Sequence, residues 1–218
     1  LVPTTIGIRR EDKSEWERRV PLVPRDVAAL EAQHDLHFLV QGSAIRVYGD
    51  DDYRAEGIEI SEDLAAAEIV IAVKEIPIGL LQADRTYVCF AHVIKGQPYN
   101  MPTLARLLEL GCSLVDYEKI ADERGARKIF FSRHAGHAGT IETLWGLGRR
   151  LQHEGIETPL AEIRHAYEYD DLAAAQEHLR EIGQRLSGAG IAALKRPLIL
   201  GIAGYGNVAR GCQEILSC

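Results

Sequence analysis

The sequence predicts an α/β domain with a mostly parallel sheet, a helical connector, and the opening strand, turn and helix of a second α/β domain. Over residues 1–134, short apolar runs alternate with amphipathic segments, as in chains that form a parallel sheet with helical crossovers. Residues 135–194 show helix patterns only. Residues 195–218 hold one apolar run, a glycine-rich turn and one helix pattern, so the second domain is represented only by its beginning.

The predicted strands of the first domain are short and rich in β-branched or apolar residues. They are Thr5–Ile8, Phe38–Val40, Ile69–Val73, Tyr87–Ala91, Ser113–Val115 and Arg127–Phe131. The run Ile69–Val73 is apolar throughout, which is typical of a parallel strand that is covered on both faces.

The predicted helices are recognised by periodic apolar residues and by the proline or glycine at their ends. In the first domain they are Pro24–Gln33, Asp50–Glu56 and Met101–Leu110. Further along the chain they are Thr140–His153, Asp170–Leu186 and Asn207–Leu216. An apolar strand, Pro197–Ala203, is predicted before the last helix.

Composition argues against several classes of protein. The 218 residues carry a net charge of −7 and no basic stripe, so we expect no nucleic-acid partner. No stretch is long and apolar enough for a membrane span, and the N-terminus lacks a signal-peptide pattern. The cysteines have no paired spacing and are expected to be free thiols in a reducing compartment. They are Cys89, Cys112, Cys212 and Cys218.

Charged residues follow four of the predicted strands. These residues are Arg9–Asp12, Lys74–Glu75, His92 and Asp116–Glu118. In an open parallel sheet, the ligand crevice lies beyond the carboxyl ends of the strands. Charged residues are common wherever a strand meets water, but four strand ends with both signs of charge and a histidine favour a binding site.

Such a set of residues could support proton transfer during reduction of a carbonyl or an imine. A lysine loses its proton readily when it is desolvated, and a histidine titrates near neutral pH. An arginine can hold a substrate carboxylate through two hydrogen bonds. A carboxylate such as Glu118 can keep the lysine or the histidine in its working protonation state.

A glycine-rich turn near the end of the chain predicts a dinucleotide site in the parent protein. Gly204, Gly206 and Ala209 have the G-x-G-x-x-A spacing, between a predicted strand and a predicted helix, where a pyrophosphate can approach backbone amides at the positive end of the helix. The acidic residue that reads the ribose is expected about 20 residues further on. Because that residue is not reached, we expect the 218 residues alone to be inactive.

Two histidines, His134 and His137, lie three residues apart. This spacing could suggest a metal site, but no third ligand accompanies the pair, so we expect no metal. Lys95 and Gln97 are compatible either with a site or with an exposed loop.

Several segments resemble the lysine–ketoglutarate reductase part of aminoadipic semialdehyde synthases. More loosely, they are similar to fungal saccharopine dehydrogenases and to alanine dehydrogenase and transhydrogenase N-terminal domains. The matching segments are IGIRREDKSEWERRVPLVP, VKEIP, FAHVIKGQ, LVDYEKIADERGARKIFF and GYGNVARG. They span nearly the whole chain, and the first and fourth are the most specific to the lysine branch.

The resemblance implies a role for each of nine residues. Lys74 and His92 correspond to the catalytic acid–base pair, and Glu118 to the glutamate that modulates the lysine. Arg19 corresponds to an arginine that binds a substrate carboxylate, and Arg127 resembles a second one. The dinucleotide would be held by Gly204, Gly206, Asn207 and Ala209 in a Rossmann domain that begins near residue 195.

By this resemblance, the parent protein is expected to condense lysine with 2-oxoglutarate and to reduce the imine to saccharopine, or to run the reverse reaction. The expected cofactor is NADP, or alternatively NAD, and the expected location is the cytoplasm, or the mitochondrial matrix in a eukaryote. Another alanine dehydrogenase-like enzyme and a non-catalytic binding module remain as alternatives. Whether the protein forms an oligomer is left open.

Overall fold

A computed structural model describes residues 3–187 and 198–218 of the chain. The chain divides into two compact units, Leu1–Ile129 and Phe130–Cys218. Among the described residues, no helix combines the length and the apolar character needed to cross a lipid bilayer.

The first unit is built on a six-stranded sheet. Its strands are β1 (Thr4–Ile8), β2 (Leu36–Val40), β3 (Glu59–Ile60), β4 (Ile69–Ile71), β5 (Thr86–Cys89) and β6 (Ser113–Asp116). They lie in the order β3-β2-β1-β4-β5-β6, and every pairing is parallel. The strand order reverses between β1 and β4, where doubly wound sheets open their ligand crevice.

Two apolar clusters support this sheet. The helices of the unit are α1 (Pro24–Gln33), α2 (Asp50–Ala55) and α3 (Met101–Glu109). One cluster joins Val27 of α1 and Tyr53 of α2 to Phe38 of β2. The other joins Leu107 of α3 to Ala72 and Cys89 at the ends of two central strands. Burial of these side chains holds the strand ends, and therefore the loops that follow them, in place.

One predicted strand of this region is wrong. Residues 127–131 form no strand; Arg127 makes a single antiparallel bridge with Ala121. A tight turn precedes the bridge, in which Asp122 accepts the amide of Ala126 and Gly125 has a φ of +78°. Residues 121–127 therefore form a tight turn closed by one antiparallel bridge, and residues 127–131 do not extend the parallel sheet. Sequence patterns also missed β3, which has only two residues.

The second unit is helical in its described part. Its helices are α4 (Ser132–His153), α5 (Leu172–Arg185) and α6 (Asn207–Leu216). Ile141, Leu151, Leu179, Ile182 and Ile215 are buried together in one core. Helix α4 begins eight residues before the predicted start at Thr140.

The predicted strand Pro197–Ala203 is also wrong within the described residues. Residues 198–203 form no strand, and Pro197 lies outside the described part. A strand requires a neighbour to bond its amides and carbonyls, and the described part of this unit contains no strand to pair with it. Ile199 accordingly leaves 83% of its surface exposed.

Helices α4 and α6 approach each other unusually closely. A Cβ atom added at Gly136 of α4 would lie 2.2 Å from the Val208 carbonyl oxygen, and one at Gly211 of α6 would lie 2.1 Å from the Arg133 carbonyl oxygen. Only glycine is compatible with backbone contacts of this kind, so this pair of glycines sets the distance between the two helices.

Candidate active site

The carboxyl ends of β4, β5 and β6 lie side by side, and the candidate catalytic residues follow them. His92 has a φ of +55°, an uncommon backbone conformation for a residue with a side chain. Residues with a positive φ are strained and persist only where the surrounding structure holds them, and they are frequent at functional sites. His92 is also the N-cap of the 3-10 helix Val93–Lys95, and its ring reaches Glu118, which follows β6.

Glu118 is the centre of a cluster that includes His92. Its Oε2 lies 3.3 Å from His92 Nδ1, and its Oε1 lies 3.1 Å from Lys95 Nζ and 3.4 Å from Arg127 Nη1. The Glu118 amide donates to Asp116 Oδ1 over 2.9 Å, which fixes the turn after β6. Burial raises the pKa of Glu118, but hydrogen bonds and charges of Lys95 and His92 outweigh it, and the pKa is lowered overall.

Nδ1 of His92 has two competing partners. It lies 3.1 Å from the Lys95 ammonium as well as 3.3 Å from the Glu118 carboxylate. When Lys95 donates to Nδ1, a neutral ring carries its proton on Nε2; when Glu118 accepts from Nδ1, the proton lies on Nδ1. The ring can therefore present either a donor or an acceptor at Nε2, as a general acid–base group must.

Lys74 lies on the neighbouring part of the same edge. Its amide donates to Glu11 Oε2 over 3.1 Å, and the Val73 amide donates to Glu11 Oε1 over 2.6 Å. The buried Glu11 thus ties the loop after β1 to the end of β4, and its burial raises its pKa. The Lys74 ammonium forms no ion pair with a described residue, but its charge helps to lower the pKa of Glu17.

Arg19 is held by Glu17 in a two-bond ion pair. Nε lies 2.7 Å from Oε1, and Nη2 lies 2.5 Å from Oε2. Burial raises the pKa of Glu17, but its bonds to Arg19 dominate and the pKa is lowered. The pair places the Arg19 guanidinium in the loop after β1 and orients it without a substrate.

Glu75 adds a carboxylate that sequence reasoning noted only as a strand-end residue. Its Oε2 lies 2.7 Å from Lys13 Nζ, while its buried Oε1 has no hydrogen-bond partner among the described residues. Burial raises the pKa of Glu75, but Lys13 and the charge of His92 lower it overall. Lys13 and Glu17 were missed as site residues, whereas Glu11 was noted only as a strand-end residue and Lys95 was left open between a site and an exposed loop.

The glycine-rich turn lies in the second unit. Gly204 has a φ of +118°, and Gly206 is the N-cap of α6 without a side-chain cap. Amides in the first turn of α6, from Asn207 to Ala209, therefore face no capping side chain. Ala209 is buried beside a groove of about 390 Å³ that is lined by α4 and by residues 200–204. Such a turn fits a pyrophosphate, because the orphan amides and the helix dipole both favour an anion.

No group of three or more His, Cys, Asp or Glu side chains that could hold a metal ion occurs within the described ranges. His137 is buried and bonds to Glu214, whereas His134 is exposed. The four cysteines are free; burial raises the pKa of the Cys89 thiol to about 12, which makes it unreactive.

Comparison with known proteins yields one matching family model and several relatives. The model "Alanine dehydrogenase/PNT, N-terminal domain" matches residues 7–138. Alpha-aminoadipic semialdehyde synthase of Arabidopsis thaliana is 35% identical over 215 residues, which cover 96% of this chain and 20% of that protein. The mitochondrial synthase of Bos taurus is 37% identical over 212 residues, which cover 97% and 23%. The chain thus spans about a fifth to a quarter of these relatives' length.

A saccharopine dehydrogenase (NAD(+), L-lysine-forming) of Neurospora crassa is 29% identical over 168 residues, covering 72% of this chain and 44% of that protein. Among solved structures, an L-alanine dehydrogenase superposes with a TM-score of 0.56 at 22% identity, covering 69% of this chain and 42% of the other. A transhydrogenase from Sinorhizobium meliloti gives 0.51 at 16% identity, covering 63% and 40%. These likenesses confirm the α/β fold class and the resemblance seen in the sequence motifs.

Proposed function

This chain belongs to the alanine dehydrogenase/PNT N-terminal domain family, and from that premise we propose that it is part of an NAD(P)-dependent oxidoreductase that interconverts lysine plus 2-oxoglutarate with saccharopine. The names of its relatives support an enzyme of lysine metabolism. The observation that carries the proposal is the cluster of His92, Glu118, Lys95 and Arg127, which lies at the sheet edge where Lys74 follows β4.

In the condensing direction, the side-chain amine of lysine must lose a proton before it attacks the ketone of 2-oxoglutarate. We assign acceptance of this proton to the neutral amine form of Lys74, because no ion pair with a described residue holds Lys74 as an ammonium. The ketone oxygen leaves as water with one proton from the attacking nitrogen and one from the His92 imidazolium, which Glu118 stabilises before the transfer. A nicotinamide dinucleotide, which Gly204, Gly206, Asn207 and Ala209 would help to hold, would supply the hydride for reduction of the imine.

The proposal is tested by identifying the reaction product of the complete natural polypeptide that carries this sequence. Lysine, 2-oxoglutarate and NADPH or NADH should give saccharopine, detected by mass spectrometry, with matching loss of reduced dinucleotide. Turnover of pyruvate and ammonia without saccharopine would favour the alanine dehydrogenase-like alternative. Ligand binding with no turnover of either mixture would favour a non-catalytic module.

Arg19→Ala is expected to raise the KM for 2-oxoglutarate about 10- to 100-fold while kcat changes less than about threefold. The guanidinium is oriented by Glu17 before substrate arrives, so its contact with a carboxylate exists already in the ground state. Steady-state kinetics on the complete polypeptide measures both constants. Arg18→Ala is the matched control, because the Arg18 side chain is exposed and donates to the Ile45 carbonyl rather than to a carboxylate of the described residues. A fall in kcat with an unchanged KM would reject a binding role for Arg19.

The 218-residue chain alone is expected to bind dinucleotide far more weakly than the complete polypeptide and to form no measurable saccharopine. The turn at Gly204 and Gly206 offers amides, but residues 198–203 form no strand and provide no sheet for a dinucleotide to lie across. Isothermal calorimetry with NADPH and NADH measures the affinity. Tight, saturable binding to the 218 residues would contradict this expectation.

A further inference from the structure

A polar cluster with one buried member, His137, joins α4 to α6, the helix that follows the glycine-rich turn. Glu214 of α6 accepts from His137 Nε2 over 2.7 Å and from Arg133 Nε over 2.8 Å, and its Oε1 lies 2.7 Å from Arg133 Nη2. The His137 side chain is only 7% exposed, against 60% for Arg133 and 34% for Glu214. Arg133, and then His137, lower the pKa of Glu214, so the carboxylate is charged at neutral pH.

The rest of the contact between α4 and α6 combines backbone approach with apolar packing. The backbones come closest at Gly136 and Gly211. Ile215 of α6 lies in one buried core with Ile141 and Leu144 of α4. Apolar burial is not directional, so hydrogen bonds can refine the orientation that this packing allows.

The carboxylate of Glu214 adds a directional contact between α4 and α6. Arg133 and His137 are four residues apart and project from one face of α4, and both converge on this single group. Charge-assisted hydrogen bonds are directional and stronger than neutral ones. In some helix pairs, polar contacts of this kind set how the helices are placed rather than how stable they are.

We infer that His137, together with Arg133, is a positioning residue that fixes α6 on α4 through Glu214 and so aims the amides of the glycine-rich turn at a dinucleotide. This inference rests on the dinucleotide role proposed above for Gly204–Ala209. Glu214 lies about 10 Å along the helix from Asn207, too far to touch the pyrophosphate itself. A change at His137 therefore acts on the cofactor only by moving the helix.

The test uses the complete natural polypeptide and two readouts, the equilibrium Kd for NAD(P)H from nucleotide fluorescence and steady-state kinetics. His137→Ala should raise the Kd about tenfold. The kcat at saturating dinucleotide and the KM for lysine should stay within about twofold, a split that general unfolding would not produce. His137→Gln, which keeps a donor near the Nε2 position, should restore the Kd to within about twofold of wild type.

Matched variants separate the bond from the side chain's bulk. His134→Ala removes an exposed histidine of the same helix and should leave the Kd unchanged. Glu214→Gln retains the shape but weakens both bonds, and should raise the Kd even if His137→Ala fails to fold. In a double-mutant cycle, His137→Ala and Glu214→Ala together should raise the Kd by less than the product of their separate effects.

The outcomes also separate this inference from the proposed function. Saturable wild-type binding with an unchanged Kd in His137→Ala and Glu214→Gln would overturn the inference alone. Equal losses in His137→Ala and His137→Gln would show that ring packing, and not the bond to Glu214, matters, and would likewise overturn it. A wild-type protein without saturable dinucleotide binding would overturn the proposed function and this inference with it.

Discussion

Replacing His92 with glutamine, or Lys74 with methionine, is expected to lower kcat by about 10²- to 10⁴-fold in the complete polypeptide, with much smaller effects on substrate KM. His92 Nδ1 has both a carboxylate and an ammonium within 3.3 Å, which lets the ring change the position of its proton. Neither glutamine nor methionine can take up and release a proton at neutral pH, whereas each retains much of the original shape.

Steady-state and single-turnover kinetics with lysine and 2-oxoglutarate measure these effects and separate chemistry from product release. His34→Gln and Lys119→Met are matched controls, because both side chains belong to the same unit and are exposed. Their kcat should remain within about twofold of wild type. If both His92→Gln and Lys74→Met retained near wild-type turnover, these residues would have no acid–base role.

Gly136→Ala and Gly211→Ala are each expected to destabilise the second unit by about 3 kcal/mol. The added Cβ would lie 2.2 Å from the Val208 oxygen in one case and 2.1 Å from the Arg133 oxygen in the other. Because both atoms belong to helix backbones, no side-chain rotation relieves the clash, and the helices must separate. The separation exposes part of the core around Ile141 and Ile215.

Gly146→Ala in the same helix is the matched control and should have the opposite sign. No atom lies within 4 Å of a Cβ placed there, so alanine should stabilise α4 by about 0.5–1 kcal/mol through its higher helix propensity. Urea unfolding of the 218-residue chain in a Trp16→Phe background follows the second unit through Trp145, the one tryptophan left. A Gly136→Ala chain as stable as wild type would contradict the close approach of the helices.

For two helices, the residues at the start of the helix predicted its first residue correctly. Helix α1 begins at Pro24 and α6 at Asn207, as expected from a proline at the first helical position and from the glycine-rich turn. The strands were recognisable because a buried parallel strand must be apolar, which leaves little freedom in sequence. The candidate residues at the strand ends followed from topology, since all parallel strands end at one edge.

Other features depended on contacts between distant residues. The helix was predicted from Thr140, yet α4 begins at Ser132, and its first turns include Gly136, which packs on Gly211 of α6. Here a tertiary contact outweighs helix propensity. The apolar residues 198–203 look like a strand by themselves but form none, because the hydrogen bonds of a strand lie outside its own sequence.

By itself, the sequence determined the α/β class of the first unit, the sheet edge at which Lys74, His92 and Glu118 stand, and the family resemblance that the comparisons confirmed. Periodicity and end signals are local, and parallel topology places strand ends together, so one chain suffices for these conclusions. Only the tertiary structure decided that Lys95 joins the Glu118 cluster and that His137 bonds to Glu214. Glu214 lies 77 residues from His137, so no helix or strand periodicity in the sequence can predict their contact. The contact forms because Gly136 and Gly211 let α4 and α6 approach closely.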